Sequence, residues 1–305
     1  MTGFVFRRLV QAIVLIKCVL IFVFLLLHLT GDPLTVMAPD DATQEDLRIL
    51  RQQMGFDKPL VVQYARFFAG AVQGDFGKSW VQGEPALKVV LERMPATIQL
   101  ALTAFFISVL IGIPLGCLAA LKENTAYDQS LMAGSVVGQA VPNFWLALML
   151  ILFFSVYLRW LPSFGRGGVS HLIMPAFTAA TFHIARLARL MRSEMLEALR
   201  QDYILTARSK GVRERLVVFR HALKNCSIPV VTLLGIDLGL LLGGTVIIET
   251  VFAWPGVGRL TVQSIHNRDF PVVQVSVFLL ASIFVIVNLI VDILYKYLDP
   301  RIEYR

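Results

Sequence analysis

RSEMLEALRQDYILTARSKGVRERLVVFRHALKNCS, residues 192–227, is a polar, basic stretch set between two apolar runs. Arg192, Arg200, Arg208, Lys210, Arg213, Arg215, Arg220 and Lys224 outnumber Glu194, Glu197, Asp202 and Glu214, for a net charge of +4. Helices in a bundle are usually joined by about 2–8 residues, so this stretch is far longer than reconnection requires. Its apolar residues recur at helical spacing: Leu196, Leu199, Tyr203 and Ala207 make one stripe, and Val212, Leu216, Phe219 and Leu223 a second. Gly211 lies between the stripes, where a residue free to adopt positive φ turns one helix into the next. Two short amphipathic helices need something to receive their apolar sides. Lipid headgroups can do so; a soluble partner gripping the elbow as a docking knob is the sharper reading.

Working outward, the flanking sequence is that of an all-α integral membrane protein. Of 305 residues, 56% are hydrophobic and 16% charged, where a soluble domain carries about 25% charged residues. The mean hydropathy is +0.69. Apolar runs at 9–29, 96–121, 131–158, 172–190, 228–252 and 272–295 predict six transmembrane helices, each near the ~20 residues a crossing needs. The first run is preceded by Arg7 and Arg8 and followed by Val36-Met37-Ala38, as in a signal peptide. Its length exceeds the about 7–15 residues of a signal core, which favours a retained helix. The net charge of +7 does not indicate nucleic acid, because the basic residues gather at the ends of apolar spans, a topology signal. Arg7 and Arg8, the 192–227 stretch, and Lys296, Arg301 and Arg305 then face the cytoplasm, with both termini inside. Cys18, Cys117 and Cys226 imply no disulfide framework, and the five histidines form no metal-ligand cluster.

This arrangement divides the chain into 1–29, the cytoplasmic N-terminus and first helix; 30–95, a small external (periplasmic) cap; and 96–305, the transmembrane domain carrying the 192–227 loop. The cap opens with Asp40, Asp41, Glu45 and Asp46, continues through Tyr64-Ala65-Arg66-Phe67-Phe68, and turns at Gly74-Asp75-Phe76-Gly77. It either covers the bundle or touches whatever delivers cargo. Within the spans, Lys17 sits mid-helix, where a charge costs about 2.5–3.5 kcal/mol; it lines a pathway or partner contact, or snorkels. His183, Arg186 and Arg189 share one face of the fourth span, with the same alternatives of pathway lining or snorkelling to the interface. Asn288 and Asp292 form an i, i+4 pair in the sixth. Glycine and proline interrupt the spans at residues 112–116 and at Val141-Pro142, and Gly235, Gly239 and Gly243 provide spacings for close helix approach. Residues 243–274, GGTVIIETVFAWPGVGRLTVQSIHNRDFPVVQ, form the second strong signal. Glu249 stands at the outer end of the fifth span, Trp254 suits the interface, Pro255-Gly256 turns the chain and Gly258 keeps the return tight before Arg268-Asp269. The pattern reads as a partly submerged hairpin capping a cavity from outside.

At these two segments the chain resembles the permease subunits of bacterial ATP-binding-cassette importers of the dipeptide/oligopeptide/nickel and glutathione branch. Gln201-Asp202-Tyr203-Ile204-Leu205-Thr206-Ala207-Arg208-Ser209-Lys210-Gly211, Arg220-His221-Ala222-Leu223-Lys224-Asn225, Glu249-Thr250-Val251-Phe252, Pro255-Gly256-Val257-Gly258 and Arg268-Asp269-Phe270-Pro271 carry the likeness. Length and the N-terminal pattern look like the first of two non-identical permeases. In the family's Glu-Ala-Ala-x-x-x-Gly signature, Gly211 holds the glycine, Thr206 and Ala207 the small positions, and Leu205 the acidic one, which leaves Asp202 or Glu197 to supply the acidic contact, with Asp202 preferred. The resemblance implies an ATPase-coupling loop at Asp202, Tyr203, Thr206, Ala207, Arg208, Lys210, Gly211 and Arg213. It also implies an external gate at Glu249, Pro255, Gly256, Gly258, Arg268 and Asp269, beside the pathway candidates Lys17, His183 and Arg186. The implied partners are a second homologous permease, two cytoplasmic ATPase subunits, an extracytoplasmic solute-binding protein and the lipid of the bacterial inner membrane, with no nucleic acid. The chain has no G-x-x-x-x-G-K-[ST] motif; ATP and magnesium are expected on the partner ATPases, with no cofactor, metal or catalytic residue here. The competing reading is a self-sufficient secondary carrier or channel, which internal repeats would favour; none is evident by eye.

Overall fold

The computed structural model describes residues 2–29, 43–54 and 57–298. Asp40, Asp41, Val36-Met37-Ala38, Arg301 and Arg305 lie outside the described residues. In chain order the helices are α1 (Thr2–Leu29), α2 (Gln44–Met54), α3 (Leu60–Val72), α4 (Ala86–Leu121), α5 (Ala126–Ala140) and α6 (Asn143–Leu150), the last continued by a π-helical segment, Ile151–Tyr157. They are followed by α7 (Val169–Leu199), α8 (Asp202–Ser209) and the short α9 (Glu214–Leu216), which runs through a second π-helical segment, Val217–Ala222, into α10 (Leu223–Gly244). The series closes with α11 (Val246–Val251), α12 (Val257–His266) and α13 (Phe270–Leu298). Among the described residues the only β pairing is an isolated bridge between Lys78 and Pro85.

Four stretches are long and apolar enough to cross a bilayer: Phe6–Leu25, Ala86–Leu121, Pro229–Val251 and Phe270–Ile293. A fifth, expected as one span over 131–158, is α5 and α6 with its π extension, bent by 101°. The bend falls at Val141-Pro142. Val141 is extended (φ −74°, ψ 121°) and Pro142 precedes the first residue of α6. A residue before proline avoids the α region, and proline donates no N–H to the preceding turn. The stretch expected as the fourth span, 172–190, lies within α7. That helix is 31 residues long but too polar to qualify as a span by apolarity. Three of its charges, Arg186, Arg189 and Arg192, have partners on neighbouring helices.

The chain divides into two compact units. One comprises the described residues through Thr97 with Pro255–Val285; the other comprises Ile98–Trp254 with the described residues from Ile286. In the first, α1 and α3 are joined by aromatic side chains: Phe24 meets Tyr64 edge-on at 5.4 Å between ring centroids and Phe67 at 5.8 Å. Phe67 continues to Phe76, and Phe76 to Phe278. Gln274 donates from its amide to the backbone oxygen of Val23. In the second unit, α7 packs against α5 and α10. Gly116 brings α4 onto α7 at backbone distance: a Cβ there would lie 2.5 Å from the Ala188 oxygen and 2.6 Å from the Met191 Cβ. A Cβ at Gly235 would lie 2.2 Å from Val291, so one of the glycines read as a close-approach point in the fifth span has that role.

Candidate functional site

The elbow between α7 and α10 begins where Arg200 and Gln201 leave the helix. Arg200 closes α7, and Gln201 is extended at φ −77°, ψ 151°. α8 then lies almost wholly exposed. Of its eight residues only Ile204 and Ala207 are buried, an i, i+3 pair on one face. They enter a core made by Leu187, Met191, Met195 and Ala198 of α7, Val217, Val218 and Ala222, and Cys226, Val230 and Leu233 of α10. The expected stripes hold at Leu196, Leu199, Ala207, Val212 and Leu223, which lie in or on this core, and fail at three positions: Tyr203, Leu216 and Phe219 are exposed, the last at 68%. The break at Arg200–Gln201 resets the helical phase before α8, and extended Arg213 (φ −57°, ψ 137°) resets it before Leu216. The π-helical turn, with its i→i+5 bonding, advances it again at Phe219. Asp202, Tyr203, Leu205, Thr206, Arg208 and Lys210 therefore share the outer surface with Gly211 and Arg213.

The turn after α8 is a Schellman closure. Gly211 adopts φ +74°; its N–H donates to the Arg208 oxygen at 2.9 Å, and the Val212 N–H donates to the Ala207 oxygen at 3.2 Å. Val212 packs on the same core as Ala207. Across the turn, Arg208 donates through Nε (3.2 Å) and Nη2 (2.6 Å) to the Glu214 carboxylate. That bonding holds the Glu214 carboxyl below its usual range. Both side chains are substantially exposed, so the pair aligns the elbow more than it stabilises it. Beside α8 an open pocket of about 190 Å³ is lined by Glu194, Glu197, Ala198, Gln201, Tyr203, Asn225 and Cys226. Burial, followed by the nearby Glu194 carboxylate, pushes the Cys226 thiol up to about 11.

Behind the elbow, α7 carries a ladder of ionic contacts. Arg192 grips Asp128 of α5 with both arms of its fork, Nε to Oδ1 at 2.5 Å and Nη2 to Oδ2 at 2.6 Å. Arg189 donates to the Gln139 side-chain oxygen. Arg186 donates through Nη1 to Asp237 Oδ1 of α10 at 3.1 Å, and His183 Nδ1 stands 3.1 Å from the same oxygen. His183 and Asp237 are buried, and Arg186 is partly open. The three arginines of this face thus each have a partner on a neighbouring helix, although Asp237 Oδ2 is left without a hydrogen bond. Asp237 escaped the sequence reading although it is the sole charged residue between Lys224 and Glu249. Lys17 is exposed on α1.

The residues grouped as an external gate fall in both units. In the second, Glu249 is fully buried and accepts a hydrogen bond from Thr245 Oγ1 at 3.0 Å. α11 ends in a closure of the same kind as α8: the Ala253 and Trp254 N–H groups donate to the Thr250 and Glu249 oxygens, with Ala253 at φ +51°. Trp254, expected at an interface, is instead fully buried, with the Arg166 guanidinium 5.8 Å from its ring centroid. In the first unit, Gly256 precedes α12 and Gly258 is buried within it; the Val257 N–H donates to Thr97 Oγ1 at 2.8 Å. A third closure ends α12, with Arg268 at φ +54° and the Asp269 N–H donating to Ser264. Asp269 is buried and clasps the 78–85 turn, accepting from Ser79 Oγ at 2.5 Å and from the Trp80 N–H at 3.1 Å.

Residues 112–304 match the family described as "Binding-protein-dependent transport system inner membrane component", and residues 1–101 match its N-terminal membrane component. A protein described as a peptide transport system permease of Brucella suis biovar 1 (strain 1330) is 43% identical over 313 residues, covering 100% of both chains. The glutathione transport system permease protein GsiC of Escherichia coli (strain K12) is 40% identical over 306 residues, again covering 100% of both. Among solved structures, the MetNI methionine ABC transporter in inward-facing conformations matches with a TM-score of 0.58 at 18% identity, over 70% of this chain and 97% of that one.

Proposed function

Since the chain belongs to the family of binding-protein-dependent transport system inner membrane components, and is a multi-pass permease of an ABC importer, we propose that it forms half of a translocation pathway for small peptides. The other half is a second homologous permease. Two cytoplasmic ATPase subunits supply the energy, and an extracytoplasmic binding protein delivers the cargo. In this reading the chain crosses six times with both ends inside, as its basic ends favour, and the 30–95 cap and the Glu249–Asp269 region face the binding protein. The relatives named for peptide and glutathione transport support this cargo class.

One observation carries the proposal: α8 puts two side chains inward and presents the rest outward on a turn fixed by Gly211, Arg208 and Glu214. An elbow with no outside partner gains little by exposing Tyr203 and Leu205 on α8 and Leu216 and Phe219 after the turn. A cleft on an ATPase covers them. Closure of the ATPase pair then moves the elbow, and α7 and α10, bound to it through the shared core, transmit the displacement. Such coupling requires the two states to differ in contact free energy at the docked helix. The test is a cysteine at exposed Arg213 in the complete transporter: it crosslinks to an ATPase subunit under the proposal. Labelling of Arg213→Cys by an impermeant reagent added outside whole cells would refute the orientation, and uptake by the chain alone would identify a carrier.

A further inference from the structure

α7 carries two arginine–aspartate pairs of different construction. Arg192 spends its fork on Asp128, meeting both carboxylate oxygens. That is how a pair is built when mutual satisfaction is its whole task. Arg186 touches Asp237 through Nη1 alone, its side chain 32% exposed while that of Asp237 is 0% exposed. Asp237 Oδ2 has no hydrogen-bond partner and is buried. A guanidinium has five N–H donors in a rigid fork, and most of Arg186's remain unspent on the open side.

The neighbouring arginine points the same way. Arg186 and Arg189 lie at i, i+3 on one face, and the side-chain partner of Arg189 is the neutral Gln139 amide. Among the described residues, the one ion pair these two make is therefore the single-bonded contact of Arg186 with Asp237. Ionisable groups at membrane depth face a bundle interior or a water-filled path. A cationic face with a half-open planar fork is complementary to a carboxylate, which accepts two parallel N–H bonds.

We propose that Arg186 takes hold of the carboxylate of the transported solute during its passage, with Asp237 and His183 as positioning residues that aim the guanidinium. This rests on the peptide-importer reading and adds to it a chemical contact inside this chain. Asp237 holds Nη1 and leaves Nε and Nη2 without a partner among the described residues, and His183 stands against the same Oδ1.

The test uses the complete detergent-solubilised transporter without its binding protein, probed by equilibrium binding of a radiolabelled dipeptide and of its C-terminal amide. The wild-type complex should prefer the free acid. Arg186→Gln should weaken acid binding by about tenfold or more, the scale of a lost charge-assisted bond, and leave the amide unchanged. Arg186→Lys should keep part of the preference. Asp237→Asn should lose it, whereas a residue that only stabilises the bundle would weaken acid and amide alike. Equal binding of acid and amide by the wild type, no binding of either, or an undiminished preference in Arg186→Gln would overturn the assignment. The importer reading fails separately, if the complete system with its binding protein shows no ATP-driven peptide uptake.

Discussion

Replacing Gly211 with valine tests the elbow where the structure allows the consequences to be separated. A Cβ at Gly211 meets nothing within 4 Å, so the substitution creates no clash, and its whole effect comes from φ +74°. Holding an L-residue in the left-handed region costs about 1–2 kcal/mol, and a β-branched one more. If the turn relaxes instead, the bonds from Gly211 to Arg208 and from Val212 to Ala207 are lost, at about 0.5–1.5 kcal/mol each. Either way the penalty is small beside the ~5–15 kcal/mol stability of a folded domain, so insertion and assembly should survive. It is large on the scale of a docking equilibrium, where about 1.4 kcal/mol is tenfold. Gly211→Val should therefore hydrolyse ATP with cargo uptake reduced about tenfold, while Gly211→Asn, a residue tolerated at this helix-end position, should remain close to wild type. The assay is paired ATP hydrolysis and peptide uptake in proteoliposomes holding all subunits. Wild-type uptake per ATP in Gly211→Val would refute the reasoning.

Two further perturbations probe the frame around the elbow. Gly116→Val forces α4 off the backbone of α7, where a Cβ already falls within 2.6 Å of two atoms; overpacking costs about 1–3 kcal/mol or more, so the thermal unfolding midpoint of the solubilised complex should drop, and an unchanged midpoint would contradict the packing. Arg268→Gly relieves a left-handed arginine at φ +54°, and should raise stability by up to ~1 kcal/mol if Arg268 serves only the turn, whereas a fall in binding-protein-stimulated hydrolysis would show that its side chain acts at the outer face.

How much of this was legible follows from the range of each signal. Gly211 was readable because a glycine between two amphipathic charged runs signals a left-handed cap, a local property of the chain. The apolar stripes were legible in part: Leu196, Leu199, Ala207, Val212 and Leu223 do reach the core. The breaks at Arg200–Gln201 and at extended Arg213, and the π-helical turn at Val217–Ala222, shift the phase that periodicity assumes to be constant. Ile204, Val217 and Val218 consequently took the inward positions expected of Tyr203, Leu216 and Phe219. The bend at Val141-Pro142 carried its own sequence signal, though not its angle. Asp128 and Asp237 were missed because their partners lie 64 and 51 residues away, and pairing across helices leaves no trace in local spacing. Trp254 was assigned to an interface from its residue type; the closure at Ala253 turns it inward instead.

If the elbow is worked by an external motor, this chain moves solute only in the company of that motor. Peptide uptake into vesicles, measured for the purified chain alone and for the complete ATP-fed transporter, separates the two possibilities. No uptake is expected in the first and nucleotide-dependent accumulation in the second; accumulation by the isolated chain without nucleotide would make it a self-sufficient carrier and end the motor reading.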